Sequence, residues 1–472
     1  MPKNLLFINP WIHDFSAYDF WLKPLGLLYM ASFMREHGYN VFLLDFLNRF
    51  SNDLINFLGD KERKRIKSRY YGMGRFPVEE VEKPKFLEFV PRRYKRYGFP
   101  KKLVIDTLKR LSGESWDAVF ITSTMTYWYP GVWETISTIK EFMDSPIFLG
   151  GLYPYFFPDH AKKSRADFVI TSPLMDHIAE ELSRIMGFEP KMEMVKGWFN
   201  ELKPMYELYQ DNSKLEYAVI LTSLGCPFRC TYCATPVIYG GKFHVRKVDK
   251  VLSEIEELLE HGVRNIVFFD DAFLIPPDRA KKILRGIIER GYNEAFFHLP
   301  NGIHVRLIDE GIAYLLKKAN FKTIILGVET LDPSLQKSTG GKVKSHELDR
   351  AVHLLKSAGF DKELRLYLMI NMPNQSYESA RLSIEGCMEY GIRIHLNEYT
   401  PIPRTKDWER LVKEGKLDPD IDPVLLNNTV LPYWWKNGLN ADEVEKLKRI
   451  VGDYNNELKV DDHGNDESEA IS

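Results

Sequence analysis

The chain has 472 residues, 44% hydrophobic and 28% charged, an ordinary make-up for a folded protein and long enough for two or three domains with ample core. Its 64 Lys and Arg against 66 Asp and Glu leave a formal charge of −2, so no global field directs it to nucleic acid or to a membrane surface. Four cysteines in so long a chain exclude a disulfide framework, and no stretch approaches the ~20 apolar residues that span a bilayer. The opening MPKNLLFINPW has too short an apolar run for a signal peptide, which makes the cytoplasm the expected compartment.

In chain order, Leu5 to Ile8 is a short apolar run ending at Asn9-Pro10 and reads as a strand. From Pro24 to His37 apolar residues recur at helical spacing, with Gly38 as the stop. Val41 to Leu44 is the next strand, ending at Asp45. Residues 51–102 interrupt the pattern with KERKRIKSRYYGMGR and PRRYKRYGFPKK, rich in basic residues and interleaved tyrosines. Such a patch suits phosphate or nucleic acid, but a solvated basic helical insertion is the expectation. Strand Ala118–Ile121, a helix near Pro130–Met143 and strand Ile147–Leu149, ending in Gly150-Gly151, complete the section. Alternation of this kind predicts a doubly wound parallel sheet in an α/β domain over residues 1–195, with ligands beyond the carboxyl ends of its strands.

Residues 210–405 repeat strand then helix, with strands expected at Ala218–Thr222, Asn265–Phe269, Ala295–Leu299, Thr323–Gly327, Arg365–Ile370 and Ile392–Glu398. Six units fall short of a full eight-fold barrel, so an open partial (β/α)6 barrel is predicted. Its chemistry would sit at the carboxyl ends of the strands, where Cys226, Asp270, Glu329 and Asn371 fall. Residues 406–460 read as a helical C-terminal tail, and 461–472 (DDHGNDESEAIS) as an acidic, disordered end.

The stretch GCPFRCTYCATP carries Cys226, Cys230 and Cys233 at C-x3-C-x2-C spacing, on a loop shaped by Gly225, Pro227 and Pro236. Three thiolates are one too few for a closed tetrahedral zinc site and for a fully ligated four-iron cluster. A zinc knuckle with His244 as fourth ligand is the competing reading, but zinc sites usually pair two short hooks and no second hook is present. A [4Fe–4S] cluster held by three cysteines keeps one iron open to an exogenous ligand. This loop resembles the signature of the radical SAM enzymes. In that family the open iron chelates the amino and carboxylate groups of S-adenosylmethionine, and one electron from the cluster cleaves it to a 5′-deoxyadenosyl radical.

Over nearly its whole length the chain resembles radical SAM enzymes with an N-terminal cobalamin-binding domain, and the resemblance implies roles for single residues. Tyr232 matches the aromatic set against adenine. Asp270 and Asp271, in FFDDAF, stand where relatives meet the methionine amino group. His304 and Arg306, in NGIHVR, fall near the ribose and the substrate, Glu329 where a polar residue reaches adenosylmethionine, and Lys342 where a cation pairs with its carboxylate. Asn371 and Asn374 replace glycines that many relatives carry, and Tyr399 to Thr405 would close the substrate side.

In the first section, Ser123 with Met125 resembles the Ser-x-Leu element of cobalamin-binding domains, and Gly150-Gly151 the paired glycines under the nucleotide tail. The D-x-H-x-x-G loop that binds cobalt from below is missing, since His13-Asp14 lacks that spacing. Cys387 stands alone on an apolar helix, so a second cluster is not expected.

The resemblance implies cobalamin-dependent methyl transfer to an unactivated carbon. Rearrangement or isomerisation chemistry on a vestigial cobalamin fold is the alternative, followed by a non-catalytic iron–sulfur or corrinoid carrier. It also implies a low-potential electron donor such as a ferredoxin or flavodoxin. The aromatic residues Trp11, Trp21, Tyr127, Trp128 and Tyr129 could cover a corrin or a small-molecule or lipid-like substrate, although aromatics are more often core. No residue is assigned as catalytic from sequence.

Overall fold

The computed structural model describes residues 3–209, 214–292 and 294–460, so the acidic tail expected to be disordered lies outside the described residues. The chain divides into two compact units, Met1–Ala218 with Ile421–Asn427, and Val219–Asp420 with Asn428–Ser472. No helix among the described residues is long and apolar enough to cross a membrane.

The first unit is built on five parallel strands, β1 (Asn4–Asn9), β2 (Asn40–Asp45), β3 (Ala118–Ile121), β4 (Ile147–Leu149) and β5 (Phe168–Val169). Their order is β2-β1-β3-β4-β5, with Leu5 opposite both Val41 and Ala118. Leu5 to Ile8 are fully buried, as the continuous apolar run requires for a strand covered on both faces. An aromatic ladder crosses the sheet. Phe7 stacks on Phe120 at 4.8 Å, Phe120 on Phe148 at 4.9 Å, and Phe148 on Phe168 at 4.6 Å. Each contact adds roughly 0.5–1.5 kcal/mol beyond its area. The strand order reverses between β1 and β3, and in doubly wound sheets the ligand crevice opens beyond the carboxyl ends at that point.

The basic segment 51–102 is only partly helical, which corrects the expectation of a helical insertion. Helices cover Asn52–Phe57 and Asp60–Ile66, after which Val78–Glu80 and Lys95–Tyr97 form an antiparallel ribbon with Ile12–Asp14. Pro77, Pro84 and Pro91 deny the segment an uninterrupted helix. Some of its charge is also internal. Arg96 is buried and pairs with Glu79 at 2.7 Å and Glu134 at 2.6 Å. Just before the segment, Arg49 is buried against Asp19 at 2.8 Å and fills the space where a Cβ on Gly74 would sit. His13 also pairs with Glu134, at 2.8 Å.

Of the five aromatics considered above as a ligand cover, Trp11, Trp21, Tyr127 and Tyr129 are core residues, and only Trp128 is partly exposed. Trp11 donates its indole N–H to the Phe99 carbonyl at 2.7 Å, and Trp128 donates to Asp14 at 2.6 Å. Residues Ile421–Asn427 return to this unit: Tyr129 donates to Asp422 at 3.0 Å, and Asn427 donates to Asp14 at 2.9 Å.

The second unit has six strands, β6 (Ala218–Ile220), β7 (Asn265–Phe268), β8 (Phe296–Ile303), β9 (Phe321–Glu329), β10 (Leu364–Ile370) and β11 (Arg393–Glu398). They lie side by side in chain order, parallel from β7 to β11, with the first and last at opposite edges of the sheet. Helices Val248–Glu260, Pro277–Glu289, Glu310–Lys318, Ser345–Ser357 and Tyr377–Met388 alternate with them. Cys387 is fully buried on the last of these, as expected. The C-terminal region is helical at Lys406–Lys413, Leu431–Trp434 and Ala441–Val460.

Candidate functional site

The cysteine loop leaves the carboxyl end of β6 and is gripped by glycine contacts. Gly225 has φ +81, and a Cβ there would lie 2.2 Å from the Lys242 carbonyl oxygen. Gly340 has φ +106 and crosses the loop so closely that a Cβ would sit 3.3 Å from the Cys230 Cα. Only glycine satisfies both demands. Thr231 N–H donates to the Thr339 carbonyl and Asp407 N–H to the Thr231 carbonyl, each at 3.1 Å. The loop is therefore pinned from two sides.

All three thiols are free. Burial pushes Cys226 up to about 11, with repulsion from Cys233, Asp271 and Cys230 adding to it. Cys230 and Cys233 are raised by burial as well, and the Lys342 ammonium opposes the rise at both. These are thiols that become thiolate ligands once positive charge is present, which an iron cluster would supply. No group of three or more His, Cys, Asp or Glu among the described residues is arranged to hold a single metal ion. His244 is exposed on a short ribbon strand, so the zinc reading has no fourth ligand there. A four-iron cluster asks for a different arrangement, with one thiolate on each of three irons, and the donor set fits it.

The two adjacent acids after β7 part company. Asp270 is buried and accepts hydrogen bonds from Thr222 Oγ1 at 2.7 Å, Ser223 Oγ at 2.6 Å and the Thr222 N–H at 3.1 Å. Arg279 completes this knot by donating to the Thr222 carbonyl at 2.6 Å. Asp270 thus fixes the start of the cysteine loop. Asp271 faces the thiols, accepting from Thr235 Oγ1 at 3.1 Å. Burial, with the Asp270 charge adding, pushes its carboxyl up to about 6 against the pull of Thr235 and the Gly225 N–H.

Because the folded value lies above the unfolded one, Asp271 adds stability below pH ~4 that is lost as pH rises through about 6. Asp271→Asn should therefore stabilise the metal-free protein by about 2 kcal/mol at pH ~7.5, with the gap closing by pH ~4.5. Urea unfolding at the two pH values measures this. An unchanged gap would place the carboxylate in solvent.

Glu329 ends β9 with φ 65, a left-handed conformation that an ordinary side chain reaches only under constraint. Its carboxylate pairs with Lys342 at 2.6 Å, and both side chains are largely buried. Burial alone would lower the Lys342 ammonium, but Glu329 and the neighbouring Cys230 and Cys233 more than offset it, so the net direction is up. The Lys342 Nζ lies 2.6 Å from where a Cβ on Gly327 would be, so that glycine makes room for it.

Arg306 does not reach into this centre. Its guanidinium donates to the Gly341 carbonyl and, at 2.5 Å, to the Lys342 carbonyl, holding the loop that carries Lys342. Tyr232 is largely buried. Its phenol is pushed far up by burial and then by the Glu329 and Cys230 charges. His304 lies with Nε2 3.7 Å from Cys226 Sγ and is pushed down to about 3 by burial, Lys342 and Arg306.

Asn371 and Asn374 have φ 62 and 63. Both occupy left-handed positions, where asparagine is the common substitute for glycine. Asn371 Oδ1 also accepts the Leu439 N–H at 2.7 Å, and Asn374 N–H donates to the Asn437 carbonyl at 2.7 Å, so the pair anchors the C-terminal segment. Thr222, Ser223, Thr235 and Arg279 went unmarked in the sequence. They are isolated hydroxyls and a helix arginine, and only the fold brings them to Asp270 and Asp271.

In the first unit, Ser123 lies two residues beyond β3, at the crevice end of the sheet, and its buried Oγ has no hydrogen-bond partner among the described residues. Gly151 has φ +101, and a Cβ there would lie 2.3 Å from the Ser123 carbonyl oxygen, so its glycine serves protein packing. Gly150 differs, because a Cβ there would meet nothing nearer than Ile170 at 4.0 Å. Met125 is partly exposed and immediately precedes the 3-10 turn Thr126–Trp128. An orphaned hydroxyl beside an unfilled glycine fits a bulky polar ligand such as a nucleotide tail.

Residues 220–385 match the radical SAM superfamily model. An uncharacterized methyltransferase of Pyrococcus horikoshii is 24% identical over 72% of this chain and 76% of its own length. The hopanoid C-2 methylase of Rhodopseudomonas palustris is 24% identical over 62% of this chain and 58% of its own. Among solved structures, TsrM from Kitasatospora setae, a radical S-adenosylmethionine methyltransferase with cobalamin and a [4Fe–4S] cluster bound, shares the fold with a TM-score of 0.62. That match has 16% identity and covers 88% of this chain and 78% of TsrM. The matched segment holds the cysteine loop and every second-unit residue just described as far as Asn374. Residues 220–385, within the second unit, are thus the part of the chain that is similar to the radical SAM superfamily.

Proposed function

We propose that the chain is a cobalamin-dependent radical SAM methyltransferase acting on an unactivated carbon of a small-molecule or lipid-like substrate. The observation that carries this reading is the set of three free thiols, Cys226 buried and Cys230 and Cys233 half-buried, with the Glu329–Lys342 pair beside the latter two. When bound, a cluster supplies the electron that cleaves adenosylmethionine, and cobalamin carries the methyl group.

The chain's own residues hold and orient. Cys226, Cys230 and Cys233 hold the cluster. Lys342 and Glu329 offer a cation and an anion to the zwitterionic methionine end, with Asp271 as a second acid. Tyr232 covers the adenine, and its half-buried ring limits the water that reaches a reactive radical. Ser123, Met125 and Gly150 form the cradle for cobalamin, and Gly151 packs beneath it against Ser123. A low-potential ferredoxin or flavodoxin serves as donor in the cytoplasm.

Anaerobic reconstitution with iron, sulfide and hydroxocobalamin, followed by desalting and metal counting, tests the proposal. About four irons and one cobalt per chain are expected, with 5′-deoxyadenosine released on reduction. Iron without cobalt would overturn methyl transfer and favour rearrangement chemistry on a relic fold, a possibility raised by the absence of a D-x-H-x-x-G loop.

The two glycines separate the cradle from the fold. Gly150→Val should keep the thermal midpoint and lower cobalt retention at least about tenfold, since its side chain meets ligand space rather than protein. Gly151→Val should instead destabilise the fold by on the order of 3 kcal/mol, through its φ and its clash with Ser123. Equal cobalt retention in wild type and Gly150→Val would remove Gly150 from the cradle.

A further inference from the structure

We infer that His304 donates a hydrogen bond from Nε2 to the Cys226 sulfur and so raises the reduction potential of the cluster; this rests on the cluster reading above. His304 directly follows β8, two strands across the sheet from the cysteine loop, yet its Nε2 comes to 3.7 Å from Cys226 Sγ. Both residues are buried, at 4% and 9% exposure, so solvent does not compete for the contact. The sulfur of a metal-bound thiolate is an acceptor only, which requires Nε2 to carry the hydrogen.

The ring is held in this orientation from its face. Phe228 packs on it with centroids 4.2 Å apart and the rings tilted by 40°, and the Arg306 guanidinium lies 5.1 Å from the Phe228 ring centroid. His304 Nδ1 has no hydrogen-bond partner that would pull the imidazole elsewhere. The contact with Cys226 is therefore the only polar anchor of this side chain among the described residues.

Reduction adds negative charge that spreads onto the cluster's sulfurs. A donor aimed at one of them stabilises the reduced state more than the oxidised one. His304 is thus a positioning residue whose effect falls on electron uptake, before any substrate is touched.

The test uses reconstituted holoenzyme, with iron counted first and the potential then read by EPR-monitored redox titration. His304→Phe keeps the ring against Phe228 and deletes the donor, while His304→Gln returns an amide N–H. At a fixed ambient potential, the reduced-to-oxidised ratio should fall about tenfold in His304→Phe, equivalent to ~59 mV for one electron, with His304→Gln recovering at least half of the shift. A fully loaded His304→Phe with the wild-type potential overturns the inference, as does a His304→Gln no closer to wild type than the phenylalanine variant.

A second measurement needs no variant. In wild-type protein with 15N-labelled histidine imidazole, pulsed EPR of the reduced cluster should show a weak nitrogen coupling, and its absence overturns the hydrogen bond. If wild-type protein takes up no iron at all, the cluster reading itself fails, an outcome distinct from a loaded cluster with an unmoved potential.

Discussion

Alanine at any one of Cys226, Cys230 or Cys233 should reduce bound iron from about four per chain to below about one and abolish 5′-deoxyadenosine release. Three ligands are the fewest that hold such a cluster, so the set carries no redundancy. The loss should come without unfolding. In the metal-free protein burial raises all three thiols, Cys226 to about 11, so they are neutral at pH ~7 and their removal breaks no ion pair. The apoprotein midpoint in urea should therefore move by less than the equivalent of ~1 kcal/mol.

Cys387→Ala is the opposite case. That thiol is fully buried on its helix, pushed up to about 12 by burial alone. Its removal should cost about 1–2 kcal/mol of packing and leave the iron count untouched. Iron retained by two of the three loop variants would show that other residues hold it and would remove the cysteine loop from the site.

Much of this was legible in the sequence because it rests on short-range pattern. The apolar runs that became β1 to β4 and β6 to β11 are local, and the three cysteines lie within one loop. What the sequence hid depends on direction and distance. Asp270 and Asp271 are equal letters in FFDDAF, but neighbours on an extended chain point to opposite sides. Asp270 turns to Thr222 and Ser223, while Asp271 turns to Thr235 and the thiols.

The basic stretch looked solvated because its acid partners are distant in sequence. Glu134 is 38 residues from Arg96. Asn371 and Asn374 looked like departures from a glycine pattern. Their positive φ shows that the backbone path is kept and that asparagine is the residue able to follow it. Arg306 was expected near the ligand, but its hydrogen bonds go to the Gly341 and Lys342 carbonyls, so any effect on binding passes through Lys342.

Lys342→Met should destabilise the protein by about 3 kcal/mol, because it strands the buried Glu329 carboxylate without its partner. The double variant Lys342→Met with Glu329→Gln should recover most of that loss, since replacing both members of a buried pair avoids the uncompensated charge. Adenosylmethionine binding should follow a different rule. Each single variant removes one half of the recognition of a zwitterion and should weaken binding about 10–100-fold, and the double variant should be at least as weak. Unfolding in urea and equilibrium dialysis of adenosylmethionine on the reconstituted protein supply the two readouts.

Recovery of stability without recovery of binding marks a ligand-facing pair. Recovery of both would mean that Glu329 and Lys342 only brace each other. Glu329→Gly sharpens the distinction. With φ 65 at this position, glycine relieves backbone strain, so the variant should lose binding with a smaller stability cost than Glu329→Gln, by about 1 kcal/mol. A residue kept in a strained conformation whose removal abolishes binding and relaxes the backbone is one the fold holds in place for a ligand.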